Sequence, residues 1–221
     1  MIRIAGLVPL TSLDLPGRLA AVLFLQGCPW RCSYCHNPHL QPARAAPGPD
    51  FAAVLDFLRR RRGLLDGVVF SGGEPTLQPR LARAVAAVRA LGFQTALHTA
   101  GMYPRRLAAV LPHLDWVGLD IKAPAALHAA VVGRAHGAAP ALRSLQLLQD
   151  SGVDYECRTT WSPTLYPEAA LVELARGLAA RGVRRWVLQA LRPGPGHAPD
   201  GLPPDLARLS ALVPGFEYRP A

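Results

Sequence analysis

The chain has 221 residues, half of them apolar, with a formal charge of +9 and four cysteines, three of them in one loop. That length can bury one good core, so a single domain over 1–221 is expected, and so few cysteines exclude a disulfide framework and suit a reducing cytoplasm. No apolar run is long enough to span a bilayer, and Met1-Ile2-Arg3-Ile4-Ala5 does not read as a signal peptide; the basic residues are nearly all arginine in a chain crowded with Ala, Pro, Gly and Leu, a compositional bias, so neither a membrane nor a nucleic-acid partner is expected.

Residues 1–17 read as an irregular lead-in closed by the turn signal Asp14-Leu15-Pro16-Gly17. Residues 18–26 read as a buried strand that runs into the cysteine loop, followed by Pro/Ala-rich loop over 38–49. Asp50 is placed as the cap of a helix through Phe51, Val54, Leu55, Phe57 and Leu58, with Arg59-Arg60-Arg61-Arg62 as its solvated end, where cations suit the helix dipole. Strands then follow at 67–70, 94–98, 116–119, 154–159 and 185–189, separated by helices at about 77–91, 104–111, 138–149 and 167–181. Residues 190–221 are read as a C-terminal loop, Pro/Gly-rich over 193–204, and a short helix over 205–212.

Six strands alternating with helices at this spacing predict parallel βαβ units with right-handed crossovers. The strands end at Gln26-Gly27-Cys28, Ser71-Gly72-Gly73-Glu74, His98-Thr99-Ala100-Gly101, Asp120-Ile121-Lys122, Arg158-Thr159-Thr160 and Gln189. In barrel-type α/β proteins the C-terminal strand ends converge on the face that holds the active site, so these six motifs are expected to surround one site.

Within it, Cys28, Cys32 and Cys35 are spaced C-x3-C-x2-C. Three thiolates from one short loop suit an iron–sulfur cubane with one iron left open for a further ligand, and open coordination marks catalytic centres. Zinc held by the three thiolates and His36, haem attached at Cys32-Ser33-Tyr34-Cys35-His36, and a disulfide with one odd thiol are the alternatives from the loop alone. Five further polar strand ends are more than a structural zinc loop needs.

The cysteine loop followed by Gly72-Gly73-Glu74-Pro75 resembles the radical S-adenosylmethionine (SAM) superfamily. That resemblance implies a partial (β/α)6 barrel, a [4Fe-4S] cluster on three cysteines, and SAM on the fourth iron; one electron cleaves SAM to methionine and a 5′-deoxyadenosyl radical that abstracts hydrogen. Cys35-His36-Asn37-Pro38 is similar to glycyl-radical-enzyme activating enzymes. Ser71-Gly72-Gly73-Glu74-Pro75-Thr76-Leu77, Asp120-Ile121-Lys122-Ala123-Pro124 and Tyr155-Glu156-Cys157-Arg158-Thr159-Thr160 resemble the activating protein of anaerobic ribonucleoside-triphosphate reductase, and the lead-in Ser12-Leu13-Asp14-Leu15-Pro16-Gly17 is similar to the activase pattern in general. A glycyl radical enzyme is therefore the implied partner, with an electron donor such as flavodoxin or ferredoxin. A small-molecule radical SAM enzyme such as 7-carboxy-7-deazaguanine synthase is the alternative, although its loop usually continues with Asp and Thr where this chain has His36-Asn37-Pro38.

By the same resemblance Cys28, Cys32 and Cys35 ligate the cluster, Tyr34 lies against the adenine, and Gly72, Gly73 and Glu74 receive the SAM amino group. Thr99, Asp120, Lys122, Arg158 and Gln189 complete the cofactor contacts, with Arg158 suited to a carboxylate. Asp120 and Lys122 flank Ile121, so both can face the site; a structural ion pair at the barrel mouth is the other reading. Lys122 is the chain's single lysine. The family's third strand commonly ends Thr-Asn-Gly and, with the strand-four aspartate, helps related activases hold a monovalent cation; here it reads His98-Thr99-Ala100-Gly101, which leaves such an ion open and makes His98 a satisfied core histidine by the plainer reading. Cys157, mid-strand, is read as a small buried hydrophobe.

Overall fold

The computed structural model describes residues 2–44, 48–134, 138–192 and 203–220. Most of the loop expected over 193–204 falls outside them. Eight strands form one sheet in chain order: β1 (Ile4–Thr11), β2 (Ala20–Leu25), β3 (Gly67–Gly72), β4 (Gln94–Thr99), β5 (Trp116–Asp120), β6 (Asp154–Trp161), β7 (Arg185–Ala190) and β8 (Gly215–Arg219). All neighbours from β2 to β8 pair in parallel, while β1 runs antiparallel to β2. The six expected strands are β2 to β7. The helices are α1 (Phe51–Arg59), α2 (Leu81–Arg89), α3 (Pro104–Val110), α4 (Ala125–Val132), α5 (Ala138–Ser151), α6 (Glu168–Ala180) and α7 (Leu206–Leu212). Each of β2 to β7 is followed by helix, giving six βα units in a sheet whose edges are β1 and β8.

Three elements differ from the sequence reading. The lead-in is not irregular over its whole length, because Ile4–Thr11 pairs with β2 through two register shifts. The C-terminal stretch after α7 adds β8 beside β7. A further helix, α4, follows Pro124 before the expected α5. Asp50 stands at the N-cap position of α1, but its side chain makes no capping bond; Asp205 does cap α7, accepting from the Arg208 N–H at 2.9 Å.

The strand period of two divides the core. Ala21, Leu23 and Leu25 of β2, with Val68 and Phe70 of β3, pack with Val54, Leu58, Leu81 and Val85 of the helices. Their alternates, Ala20, Val22, Val69, Ala96 and Trp116, form a second cluster inside the curve of the sheet, closed below by Leu15. Toward the C-terminal strand ends the inner rows of β3 and β4 pass from Val69 and Ala96 to Ser71 and His98, and the same face of β5, β6 and β7 presents Asp120, Arg158 and Gln189.

At the other edge β8 is pinned by charge. The fully buried Glu156 carboxylate of β6 accepts from Arg219 Nη1 at 3.3 Å and Nη2 at 3.5 Å, with Arg185 Nη2 at 3.9 Å. Breaking such a pair strands a buried carboxylate. Arg219→Ala is expected to destabilise the chain by about 2 kcal/mol in urea unfolding, and adding Glu156→Gln should recover part of that loss. Equal destabilisation by Arg219→Ala with or without Glu156→Gln would sink this account.

Candidate active site

Twelve residues singled out in the sequence come together at the C-terminal strand ends. Cys28, Cys32, Tyr34, Cys35, Gly72, Gly73, Glu74, Thr99, Asp120, Lys122, Arg158 and Gln189 all line one open cavity. Asp14, Trp30, Gln41, Ser71 and Thr160 line it too without having been given a role. Thr160 stands in a motif already noted, and Asp14 in the lead-in turn; nothing in the residue pattern around Gln41 pointed to the site.

The cysteine loop is held from both sides. Gly27 and Cys28 donate their N–H groups to Leu40 O (2.8 Å) and Gln41 O (3.0 Å), while Arg31 and Ser33 donate theirs to Val132 O (2.9 Å) and Val131 O (3.4 Å) at the end of α4. Trp30 packs edge-on against His128 of α4, with ring centroids 5.1 Å apart. The helix missed in the sequence is thus the saddle on which the loop sits. All four cysteines are free thiols, and burial pushes the Cys28 thiol up to about 11 and raises Cys32. Any metal they take up must therefore displace protons. Among the described residues no three His, Cys, Asp or Glu side chains gather around a single ion; the three thiols share a cavity wall instead.

Gly73 and Glu74 bind this loop to β3, donating to Leu25 O and Gly27 O, each at 2.9 Å. The Glu74 side chain is committed as well. Its carboxylate accepts from the Thr76 N–H (2.9 Å) and hydroxyl, the Thr99 hydroxyl (2.6 Å) and the Ala100 N–H (2.8 Å). Burial raises this carboxyl, and the bonds from Thr76 and Thr99 oppose it. Glu74 and Thr99 together clip the end of β3 to the end of β4.

Asp120 stands between two cations. Lys122 Nζ lies 2.8 Å from Oδ2 and Arg158 Nε 3.0 Å from Oδ1. The guanidinium lies flat over Gly118, where a Cβ would come within 2.6 Å of Cζ. Lys122 also stands 5.7 Å from the ring centre of Tyr34, whose buried hydroxyl has no hydrogen-bond partner among the described residues. Ile121 is buried away from the site with the helix-facing core, as the alternation required. Burial works to raise the Asp120 carboxyl, but Lys122 and Arg158 outweigh it and hold the group at about 2. The carboxylate's stabilising effect is therefore complete above its ordinary range, near pH 4, and is lost as pH falls toward 2, a contribution of about 2.5 kcal/mol. Asp120→Asn should flatten the acid limb of the stability curve across that window in urea unfolding; an unchanged limb would show the triad contributes nothing.

His98 is a satisfied histidine. Its Nε2 lies 2.9 Å from Asp14 O and its Nδ1 3.3 Å from Ser71 Oγ, and burial lowers it to about 3. The neutral ring then donates to the lead-in turn and accepts from β3. Cys157 is fully buried, faces the helix side, and is pushed up by burial, so it takes no part in the site.

The donor set fits an iron–sulfur group. Three soft thiols line a cavity that continues over the Gly72-Gly73 backbone and the Asp120 triad, a donor set suited to iron and sulfide.

Residues 22–168 match the family model described as the radical SAM superfamily. A Methanocaldococcus jannaschii protein, whose name assigns it provisionally to glycyl-radical enzyme activation, is 30% identical over 182 residues, covering 78% of this chain and 74% of that one. The pyruvate formate-lyase-activating enzyme of Clostridium pasteurianum is 40% identical over 127 residues, covering 54% of this chain; the chain spans about half the length of that relative, 52%. Among solved structures, SAM-bound SuiB of Streptococcus suis superposes with a TM-score of 0.63 at 15% identity over 89% of this chain and 48% of its own. QueE of Escherichia coli does so with a TM-score of 0.59 at 20% identity, over 86% and 84%. At such identities these two establish the fold alone: the partial barrel of this superfamily.

Proposed function

The chain belongs to the radical SAM superfamily and to its glycyl-radical-enzyme activating class, and on that premise we propose that it installs a glycyl radical on anaerobic ribonucleoside-triphosphate reductase. The observation that carries the reading is the shared cavity: the three-cysteine loop faces the ends of five further strands across open space. Bound there, the [4Fe-4S] cluster and SAM supply one-electron cleavage and a hydrogen-abstracting radical.

The residues divide the remaining work. Cys28, Cys32 and Cys35 would hold the cluster through three thiolates, and with no fourth thiol in the loop one iron would stay open to SAM. Because the Gly73 and Glu74 N–H groups are engaged by Leu25 and Gly27, this strand end offers an incoming ammonium carbonyl oxygens, as an amino group requires. Glu74 and Thr99 shape that edge from behind rather than reaching across the cavity, since both are engaged with each other. Lys122 and Arg158 present positive charge to the methionyl carboxylate while Asp120 fixes their direction. Tyr34 and Gln189 close the two flanks, Tyr34 toward the adenine.

The choice of reductase rests on the stretches around Asp120 and Arg158. The second reading, pyruvate formate-lyase as the radical acceptor, rests on the 40% identity to its activating enzyme. Electron paramagnetic resonance of the anaerobically reconstituted, reduced chain with SAM and each acceptor in turn decides between them. A glycyl radical that appears on the reductase, and needs both SAM and this chain, is the expected outcome. A radical on the lyase alone would replace the partner, and a reduced cluster that SAM does not perturb would overturn the activity.

A further inference from the structure

The outer side of the cysteine loop differs from its cavity side. Two exposed arginines, distant in sequence, close over it. Arg31 Nη1 donates to the carbonyls of Cys28 (2.7 Å) and Trp30 (2.8 Å), and Arg134 Nε donates to Pro29 O at 3.1 Å. Among the described residues neither guanidinium pairs with a carboxylate. Their own segments supply no acid. Residues 15–49 contain no Asp or Glu but carry Arg18, Arg31 and Arg44, and residues 121–149 contain none either but carry Lys122, Arg134 and Arg143. These two acid-free segments are joined by the backbone bonds from Arg31 and Ser33 to Val132 and Val131. Arg31 and Arg134 are thus two cations fixed directly on the backbone that carries the first two thiols.

In the activase reading the cavity side must hold SAM and the target glycine, so the electron has to arrive from the other side. We propose that Arg31 and Arg134 form the docking face for a small acidic electron-carrier protein, which passes one electron to the cluster across the backbone of residues 28–31. The carrier is oxidised by one electron, the cluster is reduced by one, and no covalent bond forms or breaks. An acidic carrier fits because unpaired surface cations steer an anionic partner and set its orientation, whereas a neutral one would gain nothing from them. The inference rests on the activase reading and adds where its reductant binds.

The test uses the reconstituted full chain and a purified flavodoxin as probe, with binding measured calorimetrically at about 50 mM and about 300 mM salt. The pair Arg31→Gln with Arg134→Gln should weaken binding about tenfold at low salt and slow flavodoxin-driven reduction in step. The pair Arg31→Lys with Arg134→Lys keeps the charge and should bind within about threefold of the parent. Arg60→Gln with Arg62→Gln, an equal charge change beyond the end of α1, should leave affinity within about twofold. Dithionite-driven SAM cleavage by the Gln pair should match the parent, which separates docking from damage to the loop. Unchanged affinity in the Gln pair, an equal loss in the α1 pair, or lost binding of the radical acceptor in place of flavodoxin would each overturn the proposal. If the parent fails to cleave SAM even with dithionite, the activase reading falls, and this proposal with it.

Discussion

Alanine at Cys28, Cys32 or Cys35, one at a time, is expected to yield a folded chain without an intact cluster, cleaving SAM at less than roughly a thousandth of the parent rate. The three positions are half-buried in a loop, so losing one sulfur removes little packing, about 1 kcal/mol. The loop's backbone attachments to Leu40, Gln41, Val131 and Val132 do not involve the sulfurs and should survive. Cys157→Ala is the informative counterpart. That residue lies on the opposite face of β6, fully buried among helix-facing side chains, so its loss costs about 1–2 kcal/mol of stability and no iron. Iron and sulfide content, with the yield of 5′-deoxyadenosine, read the four variants. Full iron loading and cleavage in any one of the first three would remove that cysteine from the site.

Gly72→Ala is expected to cost about 3–5 kcal/mol, lowering the melting temperature by about 10 °C. Two independent effects add there. The residue sits at φ +116°, where side chains are strained, and a Cβ would come within 2.2 Å of Leu25 N, a backbone atom that cannot swing aside. Relief would require β2 and β3 to separate where the cysteine loop begins, so cluster uptake should fall along with stability. Gly152→Ala isolates the first effect. It has φ +73° and open space around the new methyl, so it should cost about 1 kcal/mol with cluster uptake unchanged. Thermal melts and iron content compare the two. Equal losses would mean that the close approach of the strands contributes nothing.

The elements the sequence did not announce share a physical cause. β1 is an edge strand with Val8 and Leu10 exposed and Pro9 between them, so it lacks the alternation of a half-buried strand. β8 is short and alternates charged with aromatic residues, and its place depends on the contact of Arg219 with Glu156, far away in sequence. α4 is almost wholly Ala, Leu and Val with no polar face, so no helical period separates it from a loop in an alanine-rich chain. The site shows the same division. Cys28, Cys32, Cys35 and Tyr34 were legible because one loop carries them at fixed covalent spacing. Glu74 was read as reaching for a ligand, yet four donors from Thr76, Thr99 and Ala100 occupy it. Those donors come from two segments, and a residue pattern does not say how they turn toward one carboxylate.

The sequence by itself determined the six βα units, the polar strand ends and the three-thiol loop, because apolar period, turn chemistry and cysteine spacing are all short-range properties of the chain. Only the tertiary structure decided that α4 carries the cysteine loop, that Asp120 is shared by Lys122 and Arg158, and that His98 is tied to Asp14 and Ser71. Each of these is a contact between segments remote in sequence, or a choice among partners that neighbouring strands present equally. Burial and hydrogen-bond satisfaction make that choice only once the sheet has closed around the site.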